Sequence, residues 1–183
     1  DLIEKTCDIC VLGGGGAGLI AANKAQDLGA RVIILEKMHE VGGSSWYAGG
    51  FRTHWAKFAE GLGVEDRRKE KYHEYLERTK GSNLNPKLLW RMFEVNADFA
   101  DWLFEEHNMG KDYTPVIGHM GLGPGSVMFE AKEAWYDAHK RIDRMIGPGE
   151  VGSYMALHMQ EEFLENGGEI LLKTSAKHII TDE

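Results

Sequence analysis

Along the first 36 residues the spacing of apolar positions switches from strand-like to helix-like and back. Thr6 to Leu12 (TCDICVL) is β-branched and apolar and stops at a glycine cluster, which predicts a short buried strand. Ala17 to Leu28 (AGLIAANKAQDL) has helical spacing, with Leu19, Ala22, Ala25 and Leu28 on one face and Gly29 as a C-terminal stop. Arg31 to Glu36 (RVIILE) has an unbroken apolar centre, as a strand covered on both faces of a sheet requires. Strand, glycine turn, helix and strand in about thirty residues make a βαβ unit with a right-handed crossover.

Beyond Glu36 the pattern is less regular. Met38 to Gly50 reads as a loop, Phe51 to Gly61 as the start of a helix, and Val64 to Lys80 as a charged, exposed helix. Asn85-Pro86 is a helix start signal. Leu89, Met92 or Phe93, Asn96, Phe99 and Leu103 then recur at helical spacing up to Gly110, a stripe read as core packing. Tyr113 to Gly125 reads as loop and Glu130 to Met145 as helical. Ile146 to Gly152 is a second glycine-rich turn, followed by a helix capped by Ser153, running to Asn166 and closed by Gly167-Gly168. Glu169 to Thr174 and Lys177 to Thr181 read as strands. The alternation implies an α/β domain with a largely parallel central sheet.

Composition narrows the function classes. The net charge of −8 opposes binding to nucleic acid or to an anionic membrane surface. No apolar run reaches the length of a membrane span, so no membrane span is expected. Cys7 and Cys10 form a C-x-x-C without the helix start, following His or further ligands that redox, haem or metal sites need. They read as small residues packing in a core strand, and as free thiols they suit a cytoplasmic setting. The eight histidines show no metal-type pairing; His119, in GHMGLGPG, is the one best placed to lie near a ligand, though a loop histidine in solvent is the plainer reading. No metal site is expected.

The chemistry lies in the glycine turn. Gly13-Gly14-Gly15-Gly16-Ala17-Gly18 satisfies G-x-G-x-x-G, a weak signal alone in a chain with 23 glycines. Here it follows a strand and opens a helix, and Glu36 closes the next strand eighteen residues after Gly18. Gly13 permits the tight turn, Gly15 lets a pyrophosphate approach the backbone, and Gly18 lets the helix lie against the sheet. The helix start at Gly16 and Ala17 offers free N–H groups to phosphate. Glu36 can accept the ribose hydroxyls, and its charge disfavours a 2′-phosphate. This unit alone does not separate NAD from FAD, and an NAD-binding dehydrogenase domain remains the alternative. The loop after Glu36 and Lys37 favours FAD. Its glycine pairs Gly42-Gly43 and Gly49-Gly50 allow close backbone approach. Ser44 and Ser45 can donate to phosphate or ribityl oxygens, and Ala48, Gly49 and Gly50 can line a ring edge with peptide N–H groups.

DICVLGGGGAGLIAANKAQDLGARVIILEK followed by VGGSSWYAGG resembles the N-terminal part of the FAD-binding domain of the fumarate reductase and succinate dehydrogenase flavoprotein superfamily. It is closest to the soluble branch with fumarate reductases, urocanate reductases and 3-ketosteroid dehydrogenases. Thr174, Ala176, Ile179 and Ile180 match a later pattern of that family. The resemblance implies a Rossmann-like fold of glutathione-reductase-like topology, with the backbone at Ala176 beside the adenine. It implies non-covalent FAD, because Gly43 stands where covalent relatives carry a histidine. It further implies a FAD-dependent oxidoreductase that draws on an electron donor and transfers hydride from flavin to the α,β-unsaturated bond of an acid or enone. Desaturation of a ketosteroid-type substrate is the alternative. The family's catalytic arginine and carboxylate-gripping residues belong to a clamp domain and a C-terminal return outside this sequence, so residues 1–183 are expected to be one incomplete FAD-binding domain. A non-catalytic module, either a fragment or one piece of a split enzyme, is the remaining reading.

Overall fold

The computed structural model describes residues 3–48, 52–53, 55–109, 113–117, 127–131 and 151–181. In chain order the elements are β1 (Ile9–Leu12), α1 (Gly16–Asp27), β2 (Val32–Leu35), a 3-10 turn (Gly43–Tyr47), β3 (Arg52–Thr53), α2 (Lys57–Glu60), α3 (Arg68–Arg78), α4 (Pro86–Asp101), a π turn (Trp102–Glu106), β4 (Tyr113–Ile117), β5 (Val127–Ala131), α5 (Val151–Glu165) and β6 (Glu169–Leu171). They fall into two compact units, one of residues 1–49 with 150–183 and one of residues 50–149.

The first unit is the expected α/β arrangement. Its sheet has the order β1-β2-β6 and every pairing is parallel, with Ile9 opposite Val32 and Ile33 opposite Glu169. The central strand β2 buries Val32, Ile33 and Ile34, which accounts for its unbroken apolar sequence. Helix α1 buries Leu19, Ala22 and Ala25, while Leu28, at the C-cap, is 80% exposed. Two side-chain amides tie α1 to α5. Asn23, buried, donates through Nδ2 to Leu19 O (2.9 Å) and Met159 O (3.0 Å), and Gln26 Nε2 donates to Phe163 O (3.2 Å).

Both helices end in the same way. Gly29 N–H donates to Gln26 O and Ala30 N–H to Ala25 O, while Gly167 N–H donates to Leu164 O and Gly168 N–H to Phe163 O. These are paired Schellman closures, with Gly29 at φ +84° and Gly167 at φ +83° supplying the left-handed residue. A side chain at Gly168 would collide with the fully buried Phe163 ring, which explains the second glycine.

In the second unit Asn85 caps α4: its Oδ1 accepts from Lys87 N (3.0 Å) and Leu88 N (3.2 Å), with Pro86 in the first turn. Helix α4 buries Leu89, Phe93, Ala97 and Ala100. Edge-to-face contacts of Tyr72 with Trp90 and of Tyr75 with Phe93 join α3 to α4. The Asp101 carboxylate accepts from the N–H groups of Lys57 and Phe58 and so caps α2. Strands β3, β5 and β4 form a separate antiparallel sheet.

Several local expectations are corrected. Tyr113–Ile117 is a strand rather than loop, because β5 pairs with it across five residues. Glu130 and Ala131 belong to that β5 and not to a helix; 132–145 lie outside the described residues. The segment from Phe51 is split between β3 and α2 instead of opening one helix. The helix from Pro86 leaves α geometry at Trp102 through the π turn. Ser153 lies inside α5, which starts at Val151, and is not its cap. Lys177–Thr181 is not a strand: among the described residues no strand pairs with it, and Ile179 and Ile180 are 81% and 91% exposed. Cys10 is exposed and Cys7 half-buried, both free thiols, rather than core residues. Val11 faces α1, beside Gly18, so alternation turns Cys10 to the opposite face of β1, an edge strand of the described sheet.

Candidate functional site

The site forms where β1 gives way to α1. Gly13 donates its N–H to Leu35 O (2.8 Å), extending the β1–β2 ladder by one residue, and then turns at φ +104°. That left-handed conformation is why glycine stands there. Helix α1 starts immediately after Gly15, and no side chain caps it. Gly18 is required by packing, since a Cβ there would collide with the Gly13 carbonyl oxygen. Gly16 is similarly enclosed: its Cβ would stand 2.5 Å from Ser45 Oγ.

Gly15 is different. Its φ of −70° and ψ of 175° suit any residue, and a Cβ added there would meet nothing nearer than Gly42 O at 3.9 Å. Neither backbone strain nor packing accounts for this glycine. It leaves a cradle that a Cβ would fill, over the start of α1 where the first N–H groups have no partner within the helix. This geometry fits the pyrophosphate of a dinucleotide.

Glu36 is held from four directions. It is 7% exposed; Oε2 accepts from Gly14 N (2.7 Å) and Oε1 from Met38 N (2.8 Å). Its backbone N–H donates to Leu171 O, and its carbonyl accepts from Thr174 N–H, each at 2.9 Å. An ionised carboxylate has about four acceptor positions, so each oxygen retains capacity for a ligand hydroxyl. Glu36 lines a cleft of about 320 Å³ together with Gly13, Lys37, Thr174, Ser175 and Ala176. The structure therefore brings Ala176, 140 residues away in sequence, to the same cleft as Glu36.

The second glycine loop lies against the first. Gly42 N–H donates to Gly14 O (2.8 Å), and Gly15 and Gly42 form a parallel bridge. Gly42 and Gly43 have φ of +105° and +52°, and the 3-10 turn that follows brings Ser45 against Gly16. Helix α5 backs this turn, with Ala156 Cβ 3.4 Å from where a Cβ on Gly42 would stand. Ala17, Lys37 and Ser44 are exposed, while Ser45 and Ala48 are half-buried. Gly49, Gly50 and His119 lie outside the described residues. Sequence reasoning passed over Gly14 and Met38, whose backbone N–H groups orient Glu36, and Thr174 and Ser175 as cleft residues. Backbone donors carry no side-chain signal, so only proximity reveals them. Among the described residues no three potential ligands gather as a metal site, and no helix is long and apolar enough to cross a membrane.

A parallel βαβ unit with a glycine turn at the helix start and a buried acid after the second strand defines a Rossmann-type dinucleotide-binding fold. The chain belongs to the FAD binding domain family, whose sequence model matches residues 8–183. FAD, not NAD, is the cofactor of this family. The chain is 31% identical over 184 residues to the NADH:fumarate oxidoreductase of Klebsiella pneumoniae (strain 342), covering 98% of this chain and 18% of that protein. It is 27% identical over 182 residues to the fumarate reductase (cytochrome) of Shewanella frigidimarina, covering 98% of this chain and 28% of that protein. The crystal structure of 3-ketosteroid delta1-dehydrogenase from Sterolibacterium denitrificans shares the fold, with a TM-score of 0.65 at 17% identity over 98% of this chain and 42% of that one. The chain thus spans under a third of the length of the two sequence relatives.

Proposed function

We propose that this chain is the FAD-binding portion of a flavin-dependent oxidoreductase that reduces the α,β-unsaturated bond of a small acid. The observation that carries the binding reading is Gly15, a glycine that the chain's own fold does not require, at an uncapped helix start. Gly15, Gly16, Ala17 and Gly18 hold the pyrophosphate at the start of α1, and Gly13, whose own N–H is spent on Leu35 O, shapes the turn that presents them. Glu36 takes the adenosine ribose, and Lys37 and Ala176 flank the adenine end. Gly42, Gly43, Ser44 and Ser45 follow the phosphates toward the ribityl chain, and Ala48, Gly49 and Gly50 line the ring edge. Attachment is non-covalent. Each hydrogen bond to the Glu36 carboxylate contributes about 1.5–3 kcal/mol, enough for a tenfold or larger effect on retention.

Bound FAD supplies hydride chemistry. The work of the residues described here is to orient it. Glu36, fixed by its hydrogen bonds, would hold the adenosine end, and the paired glycine loops would hold the phosphates beside the start of α1. Similarity to a fumarate oxidoreductase at 31% identity supports an unsaturated acid as substrate.

Two measurements test the two levels separately. Purified protein should carry a flavin absorption spectrum and release intact FAD on denaturation; colourless protein that does not take up added FAD refutes the cofactor role. In the enzyme that contains this domain, anaerobically reduced flavin should be reoxidised by fumarate-like acids. Reoxidation by none of a panel of unsaturated acids refutes the reaction class while leaving FAD binding intact.

A further inference from the structure

Helix α4 has two apolar faces, and among the described residues its own unit buries only one. Leu89, Phe93, Ala97 and Ala100 face the core. Leu88, Met92 and Val95 form a separate stripe that is 67%, 44% and 41% exposed. Their spacing of four then three residues, continued by the half-buried Phe99, is the seam spacing of a helix pair. One edge of that seam carries Arg91, just before Met92, and Asp98, just before Phe99; both are exposed.

This charge order is self-complementary in one direction only. Turned antiparallel about a twofold axis, a second α4 places its Val95 opposite Met92 and its Phe99 opposite Leu88. Residues preceding the seam then meet their own kind across the axis, so Arg91 faces Asp98 of the other copy, and symmetry repeats the pair. A parallel pairing would instead set Arg91 beside Asn96 of the other copy, with no opposite charge to meet it. The present partner of Arg91 is Glu94 at 3.4 Å, an exposed i,i+3 pair that is cheaply exchanged.

We propose that the Leu88–Met92–Val95 face of α4 is a docking surface for a second copy of this chain, forming an antiparallel twofold helix pair. The area offered by one helix face is that of a transient contact rather than an obligate dimer. Sedimentation velocity on the full chain tests it. The weight-average coefficient should rise with concentration, and Met92→Glu should abolish the rise. Arg91→Glu and Asp98→Arg should each be monomeric alone, and an equimolar mixture should regain association, because the heterodimer restores both pairs. Circular dichroism should be unchanged in all three variants, whose altered side chains are exposed or half-exposed. A chain that stays monomeric up to roughly 1 mM, where even an association of about −4.1 kcal/mol would show, overturns the proposal. Association that survives Met92→Glu, or a mixture that fails to regain it, overturns it equally.

Discussion

Gly15 and Gly18 of the first turn should separate when each is changed to alanine. At Gly15 the backbone is already in an extended region open to any residue, and the nearest atom to an added Cβ is 3.9 Å away. The folded state therefore loses nothing. Reduced freedom of the unfolded chain stabilises the apo-protein by about 0.4–1 kcal/mol. The same methyl group occupies the cradle at the helix start and pushes the pyrophosphate off the N–H groups. Losing one or two charge-assisted hydrogen bonds at about 1.5–3 kcal/mol each weakens FAD roughly tenfold to twenty-thousandfold. Gly18→Ala should do the reverse in its first effect. Its Cβ collides with the Gly13 carbonyl oxygen, so α1 must shift from the turn, and overpacking of this kind costs about 1–3 kcal/mol or more. Urea unfolding of the apo-proteins combined with calorimetric titration of FAD reads both quantities. If Gly15→Ala binds FAD like wild type, or unfolds as easily as Gly18→Ala, the cradle assignment is wrong.

Glu36→Ala is expected to destabilise the apo-protein as well as lower flavin retention. It leaves the Gly14 and Met38 N–H groups without their acceptors, at about 1–3 kcal/mol for each one that stays buried. Glu36→Gln, which keeps one acceptor oxygen, should lose less stability on urea denaturation than Glu36→Ala. The Arg31 guanidinium and backbone N–H hold Asp8 at a pKa of about 2, below its ordinary 3.8. A depressed folded-state value means that the contribution is present above pH 3.8 and is lost as pH falls toward 2, so acid-unfolding curves of Asp8→Asn should be flatter in that window. Asn85→Ala removes the acceptor for two N–H groups at the start of α4 and should cost about 1 kcal/mol in thermal or urea unfolding.

What the sequence by itself determined is the local grammar of the first unit. Apolar spacing marked β1, α1 and β2, and the glycines at 13, 29 and 167 occupy left-handed positions that side chains disfavour. Asn85-Pro86 marked the start of α4 because a capping side chain acts within three residues of itself. These are short-range effects, and a single sequence contains them in full. Long-range pairing decided the rest. Tyr113–Ile117 became a strand because β5 lies beside it, while Lys177–Thr181, with comparable strand composition, remained unpaired. The same division runs through the site. Sequence spacing singled out Gly15, Glu36 and the Gly42-Gly43 pair as separate features. Only the tertiary structure set Gly42 against Gly14, turned the Gly14 and Met38 N–H groups onto Glu36, and carried Ala176 to the Glu36 cleft. Backbone hydrogen bonds between distant residues do these things, and such bonds leave no mark on residue type.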